Sequence, residues 1–291
     1  MVKRFLAAFV ALVILVVGVY SWQTWRNNRD VSPVERQQIL ASFEAAVGWF
    51  EDNREKILQT DNPALWWMVQ QAANLTGDAR LLELFDSYHE RYMGAQRRSY
   101  WRLLFNKNGW VPVHYEQIES LDDYQQLFIY AVTCDSDLAN VALISAQLDP
   151  SWCDAYPFRP SCVTHQLVGL HLMQERKCGD VAQTRAAIEI LQMRVRDQLV
   201  WDPRLLDPYL QRVLMLLQTG AAELIKPVWL RRVADGIQED GGWPPTRLIM
   251  DLPGKNDLIF TRNFIGLGRS KSSFHTTAQG LLIMAHLLGN Q

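Results

Sequence analysis

The chain has 291 residues, 48% of them hydrophobic, and a formal net charge of −2. A charge so near zero gives no electrostatic reason to expect a nucleic-acid partner. A single domain of this size is near the usual upper limit, which closed rings of helices reach.

Phe5 to Trp22 runs 18 residues without a charge, behind Lys3 and Arg4. That just spans a bilayer, which needs roughly 17–25 apolar residues. A secretory signal peptide is the competing reading, with Val19 and Ser21 forming a cleavage site before Trp22. The run is long for a signal, and Tyr20, Trp22 and Trp25 form an interfacial aromatic belt. The expectation is therefore an uncleaved transmembrane helix, with residues 1–30 serving as anchor and short linker. Lys3 and Arg4 favour a cytoplasmic N-terminus, against a weaker opposing vote from Arg26 and Arg29. On either reading residues 31–291 lie outside the cytoplasm. The expected location is the inner (cytoplasmic) membrane, single-pass, with the soluble domain facing the periplasm or extracellular side.

Ser32-Pro33-Val34-Glu35 has the form of a capping box with proline in the first turn. Ile39, Phe43, Val47 and Phe50 follow at helical spacing. Asn62-Pro63 opens a second helix carrying Leu65, Trp66, Met68 and Val69. Gly77 stops it, and Asp78 caps a third with Leu81, Leu82, Phe85 and Tyr88 inside. Trp110 to Val113 is the one stretch that reads as a short strand. Helical patterns resume at 122–132, 137–148, 163–175, 180–200 and 207–218. Those at 163–173 and 209–217 are apolar almost all round, which marks buried helices. No stretch between Asp30 and Gln291 is rich enough in Gly, Pro or Ser to split domains.

The most informative stretch is 227–288. Pro227 opens an amphipathic helix with Trp229, Leu230, Val233 and Ile237 on one stripe. Gly241-Gly242 ends it, and Pro244-Pro245 forbids an immediate restart. After a long loop, Ser272 or Ser273 caps a second helix that is apolar almost all round from Ala278 to Leu288. The segment Gly236-Ile-Gln-Glu-Asp-Gly-Gly-Trp243 resembles the Q-x-x-D/N-G-G-W turn of the α/α-toroid superfamily, which includes terpenoid cyclases, protein prenyltransferases and polysaccharide-degrading enzymes. Phe274 to Leu281 is similar to the buried helix that carries a zinc-ligating histidine in prenyltransferase β subunits, with His275 in that histidine's place. The resemblance covers about a fifth of the chain and implies an all-α fold: an (α/α) toroid, or an incomplete helical ring of stacked hairpins, over residues 31–291 as one domain. The prenyltransferase zinc site also takes an aspartate and a cysteine shortly upstream. Asp240 and Asp251 are available, but no cysteine follows Cys178, so no metal and no cofactor are expected.

Candidate chemistry is sparse. Cys134 to Ala139 resembles the D-x-D-D-T-A acid motif of terpenoid cyclases, with Asp137 in the acid position but Leu138 and Ala139 where an aspartate and the threonine belong; a plain helix cap explains the same residues. Toroid helix N-termini line the mouth of the central cavity, so His275 is expected there. Arg262 and Asn263 lie in the long loop before it, and long loops without structure of their own are often functional. An Arg, an Asn and a His could neutralise a sugar carboxylate and move a proton. Trp243 and Asp137 are the candidate ligand contacts. His165 and His171 do not share a helix face well enough for a metal. There is no G-x-S-x-G, phosphate loop or H-E-x-x-H. The leading expectation is a membrane-anchored exported toroid that binds or processes an envelope glycan. A non-catalytic interaction module of an envelope complex and an isoprenoid or lipid enzyme are the alternatives.

The four cysteines, Cys134, Cys153, Cys162 and Cys178, suit disulfides in an exported chain. If the helices at 137–148 and 163–175 form an antiparallel hairpin, Cys153 and Cys162 share one end and Cys134 and Cys178 the other. Each helix is about 18–20 Å long, and a disulfide needs Cα atoms within about 7 Å. The expected pairs are Cys134–Cys178 and Cys153–Cys162.

Overall fold

The computed structural model describes residues 2–94, 99–106, 109, 111–204, 207–245, 257–261, 264–268 and 271–289. The chain is helical. The first half comprises α1 (Val2–Asn28), α2 (Arg36–Asp52), α3 (Arg54–Ile57), α4 (Pro63–Thr76), α5 (Ala79–Met93), α6 (Arg102–Phe105) and α7 (Asp123–Thr133). The second comprises α8 (Ser136–Ala139), α9 (Ala142–Ala146), α10 (Cys162–Arg176), α11 (Val181–Trp201), α12 (Asp207–Gln218), α13 (Pro227–Ala234) and α14 (Phe274–Gly289). Between α13 and α14 lies an antiparallel hairpin, β1 (Asp257–Thr261) with β2 (Phe264–Gly268), where the sequence suggests only loop.

Local chemistry sets most helix starts. The side chains of Asn62, Asp78, Asp135 and Asp180 accept from the first free backbone N–H groups of α4, α5, α8 and α11. Asp122 and Gln125 form a reciprocal capping box at α7. Ser32 does not cap α2, which begins at Arg36 from an extended Glu35 without a side-chain cap. Residues 111–114 are irregular rather than strand. The segment 137–148 is not one helix: it breaks into α8 and α9 at Asn140–Val141. The helix from Pro227 stops at Ala234, short of Ile237.

Five helices run parallel and pack side by side. Trp66 and Phe274 meet edge to face at 5.1 Å at the starts of α4 and α14. Asp207 reaches His275 at the starts of α12 and α14, and His286 pairs with Gln218 at their ends. Thr164 of α10 donates to Gln211 of α12 at 2.7 Å. Tyr124 stacks on His165 at the starts of α7 and α10, and Cys134 joins Cys178 beyond their ends. The short α6 touches both α4 and α7. Outside these, α2 lies antiparallel on α14, α5 on α4, and α11 against α10 and α12. The five inner helices include the stretches that are apolar all round: Thr276 to Ala285 and Tyr209 to Leu217 are buried without a break. Gly169 lets α10 close onto α7, since a Cβ there would lie 2.4 Å from Leu127.

Both expected disulfides are present, with Cα–Cα distances of 5.3 Å for Cys134–Cys178 and 5.8 Å for Cys153–Cys162. The geometry behind them differs from the hairpin argument. The segment 137–148 does not pair along α10; α7 does, and the two are parallel. The broken segment α8–α9 runs back between their ends, and this return is what sets Cys153 beside Cys162.

The turn after α13 is locked in place. Gly241 has φ +86°, and a Cβ on it would sit 2.2 Å from the Ala45 carbonyl of α2. A Cβ on Gly242 would strike Ser272 and Thr277. Asp240 Oδ1 accepts from the Gly242 N–H and the Ser272 hydroxyl. Trp243, 1% exposed, donates its indole N–H to the Val233 carbonyl at 2.7 Å and lies where a side chain on Gly280 would be.

Among the described residues, α1 is the one helix long and apolar enough to cross a membrane. Residues 4–18 are exposed. The other end is bound into the body. Asn27 is wholly buried. Its amide donates to Leu199 O at 2.6 Å, its side-chain oxygen accepts from Tyr209 and Arg232, and its carbonyl accepts from Trp229 Nε1. Asn28 adds bonds to Val200 O and Lys226.

Replacing Asn27 by Ala strands the Tyr209 hydroxyl and the Leu199 carbonyl, and takes one of its bonds from Arg232. Orphaned buried groups cost roughly 1–3 kcal/mol each, so denaturant unfolding in detergent should show a loss above about 2 kcal/mol. Replacing Cys134 and Cys178 by Ser should cost more than replacing Cys153 and Cys162. Their sequence separations of 44 and 9 correspond to about 4 and about 3 kcal/mol of chain entropy. Equal losses in the same unfolding experiment would show that chain entropy does not govern the difference.

Candidate functional site

The starts of the parallel helices gather polar and aromatic groups at one end of the body. Two neighbouring features stand out there: a cleft over the starts of α7 and α10, and a histidine–carboxylate pair joining α12 to α14.

The cleft has a volume of about 490 Å³. Its floor is Tyr124 and His165, stacked at 4.2 Å with an interplanar angle of 28°. Its rim is the loop that the Cys153–Cys162 disulfide closes, with Trp152, Phe158 and Arg159. Phe158 is 95% exposed. An aromatic ring held in water on a cross-linked loop buries nothing in the fold, so its apolar face is free for a ligand. Arg159 lies 4.4 Å over the Tyr156 ring and pairs with Asp123 at 3.0 Å, which fixes the rim to the start of α7. The loop is also held from below. Arg212, 3% exposed, bonds Asp202, Gln198 and the Pro160 carbonyl.

Buried glutamines complete the scaffold by bonding backbone carbonyls around the cleft. Gln147 Nε2 donates to Asp123 O and Leu143 O. Gln166 Nε2 donates to Gln147 O at 2.8 Å and Asp149 O at 2.6 Å. The Gln166 side-chain oxygen, at the cleft wall, has no protein partner.

The second feature starts from His275 Nδ1, 2.9 Å from Asp207 Oδ2. Gln279, one turn along α14, places its amide nitrogen 2.9 Å from Asp207 Oδ1 and 3.2 Å from His275 Nε2. The consistent reading has His275 protonated on Nδ1 and donating to Asp207, while Gln279 donates one proton to the carboxylate and one to Nε2. Both nitrogens are thus engaged, and among the described residues no Ser, Thr or Cys nucleophile is bonded to the imidazole. Asp207 is fixed in turn by its own N–H, which donates to the Pro245 carbonyl at 3.1 Å.

His165 links the two features. Burial, and then the neighbouring His275, push its pKa down to about 4, with Asp207 and Asp122 pulling the other way. It is neutral at physiological pH. Burial raises the Tyr124 phenol above its usual range, with Asp122 adding to the effect. Counting Asp122 and Asp123 against Arg159, the cleft carries one carboxylate more than it has cations.

Of the residues expected from sequence, His275 stands at the end where the helix starts converge, half exposed. Arg262 and Asn263 lie outside the described residues. Asp137 is exposed in the first turn of α8, beyond the C-terminal end of α7, about 15 Å of helix away from Tyr124. It does not meet His275. Trp243 offers no face to a ligand, because its ring is enclosed in the core and its N–H is taken. Sequence reasoning missed Tyr124, Phe158, Arg159, Asp207 and the role of His165. One signal was available for the rim: Tyr156-Pro157-Phe158-Arg159-Pro160, an aromatic and proline segment bracketed by two cysteines. For Tyr124, His165 and Asp207 there was none, since they come from three helices far apart in the chain.

Among the described residues no group of three or more His, Cys, Asp or Glu could hold a metal ion. Compared with protein-family models, curated proteins and solved structures, the chain matches none.

His165 and His286 make the stability depend on pH. Burial, with His171 adding to it, pushes His286 down to about 4 as well. An ordinary histidine takes up its proton near 6.5, so the unfolded chain binds protons that the folded chain refuses until about pH 4. This contribution is intact above about pH 6.5 and is lost as the pH falls through that window. The melting temperature should decline from pH 6.5 towards 4, and His165→Gln combined with His286→Gln should flatten the decline. Superimposable profiles would sink the assignment.

Proposed function

We propose that the protein is a membrane-anchored, exported α/α toroid that binds an envelope glycan in the cleft between Tyr124, Phe158 and Arg159. The toroid reading rests on the order of contacts: α4 on α14, α14 on α12, α12 on α10, α10 on α7, and α6 between α7 and α4. Five parallel inner helices with antiparallel helices outside them is the arrangement such a ring needs. Two disulfides suit an oxidising compartment, and Lys3 and Arg4 before the apolar part of α1 suit a cytoplasmic N-terminus.

The observation that carries the binding reading is Phe158, an exposed ring on a disulfide-closed loop, facing a volume large enough for a few sugar rings. Aromatic faces stack on the C–H faces of sugars, and Arg159 supplies polar contacts to hydroxyls. The excess of carboxylate over cation favours uncharged or N-acetylated sugars over uronic acids. Binding is favoured over turnover because Asp207 and Gln279 occupy both nitrogens of His275.

Calorimetric titration of the detergent-solubilised chain with soluble glucan and chitin oligosaccharides tests this. Phe158→Ala and Arg159→Ala should each weaken binding about tenfold, the worth of roughly 1.4 kcal/mol. His275→Ala should leave affinity within about twofold. Affinity indifferent to both rim variants would overturn the assignment of the cleft. Hydrolysis or elimination that disappears in His275→Ala would replace a binding protein with an enzyme.

A further inference from the structure

The corner that joins α11 to α12 touches α1 at an unexpected depth. Tyr20 donates its hydroxyl to the Trp201 carbonyl at 2.5 Å. Beyond it, Asp202, Pro203 and Arg204 share a cleft of about 340 Å³ with Leu15, Val16, Val19 and Tyr20, and its walls are almost wholly apolar. Leu15 precedes Asn27 by 12 residues, or about 18 Å of helix. The body is therefore anchored at Asn27 and also reaches back along the apolar part of α1.

Trp201 ends α11 64% exposed, and its carbonyl accepts from the exposed Tyr20. Most of the Trp201 surface is left outside the body. The charges on the corner are matched internally: Asp202 holds Arg204 through two bonds of 2.6 and 2.9 Å and also holds Arg212. An exposed indole, an apolar cleft and paired charges at one level suit the boundary between headgroups and acyl chains, where Trp and Tyr are enriched.

We propose that this corner is a second membrane contact, and that the body sits on the phospholipid bilayer instead of hanging from a tether. The inference rests on the reading that α1 spans the bilayer. The occupant is lipid, because the cleft is continuous with the apolar run of α1: Leu15, Val16 and Val19 belong to the span and to the cleft wall together. Asn27 and its four partners hold α1 at a fixed angle, so the corner cannot swing free. The seated end is also the end that carries the glycan cleft. Asp207, the first residue of α12, follows the corner directly and bonds His275, while Arg212 ties Asp202 to Pro160 on the cleft rim.

The test uses the full chain in nanodiscs of phosphatidylcholine and phosphatidylglycerol, with a nitroxide label on one introduced cysteine at a time: Val10→Cys, Trp201→Cys or Asn140→Cys. All three positions are exposed, so none disturbs the core. Collision with oxygen is favoured in lipid and collision with a water-soluble nickel chelate in water. The label at 201 should show the lipid-like ratio seen at 10, inverted relative to 140 at the opposite end of the body. A water-like ratio at 201 with a lipid-like ratio at 10 overturns the seating and leaves the span intact. A water-like ratio at 10 overturns the span, and the seating with it.

Discussion

The turn from Gly241 to Pro245 fixes where two of the inner helices, α12 and α14, begin. Trp243 fills the space that Gly280 leaves open on α14, and losing such an indole typically costs about 3–5 kcal/mol. Its backbone then holds the start of α14: the Trp243 N–H donates to Thr277 Oγ1, and its carbonyl accepts from Thr276 Oγ1 and the Ser273 N–H. Two residues on, the Pro245 carbonyl accepts from the N–H of Asp207, the first residue of α12. One turn thereby sets the relative height of two helices, and so the 2.9 Å contact between Asp207 and His275. Both glycines are required by contact rather than by flexibility alone. Gly241 needs φ +86° and closes on the carbonyl of Ala45, and Gly242 closes on Ser272 and Thr277.

Polar burial elsewhere follows one logic. The inner helices are connected by irregular segments whose carbonyls cannot bond within a helix. Side chains with fixed donors take them up: Gln126 and Gln166 over the α6–α10 region, Arg212 at Pro160, and Arg232 at Pro203. These bonds are worth only about 0.5–1.5 kcal/mol each in net terms, yet leaving the carbonyls unpaired would cost more. They hold the cleft loop and the α11–α12 corner in single positions without extending the hydrophobic core to them.

The attachment of α1 uses the same device at higher density. Asn27 has no apolar contribution to make, but it offers a donor, a side-chain acceptor and a backbone acceptor at one buried point, and all three are used. Such a joint is directional in a way that apolar packing is not, since rotating the helix breaks every bond at once. An apolar helix is thereby given a fixed angle to a polar body.

Helix identity and most helix starts were legible in the sequence because they depend on residues within one turn: Asn62-Pro63, Asp78 and Asp180 cap what they precede, and the unbroken apolar runs at 209–217 and 276–285 are buried. The cysteine pairs followed from chain reversal between their helix ends, and they hold although α10 pairs along α7 and not along 137–148. The same locality explains the failures. Asp137 and Trp243 resemble site residues in a string of letters. Only packing decides that Asp137 faces water beyond the far end of α7 and that Trp243 is enclosed beneath Gly280. Tyr124, His165, Asp207 and His275 come from four helices separated by tens of residues. Their meeting depends on the heights at which those helices pack, which the turn at Trp243 and close approaches such as Gly169 on Leu127 determine. No local pattern encodes a height, so the cleft and its angle to α1 belong to the tertiary structure.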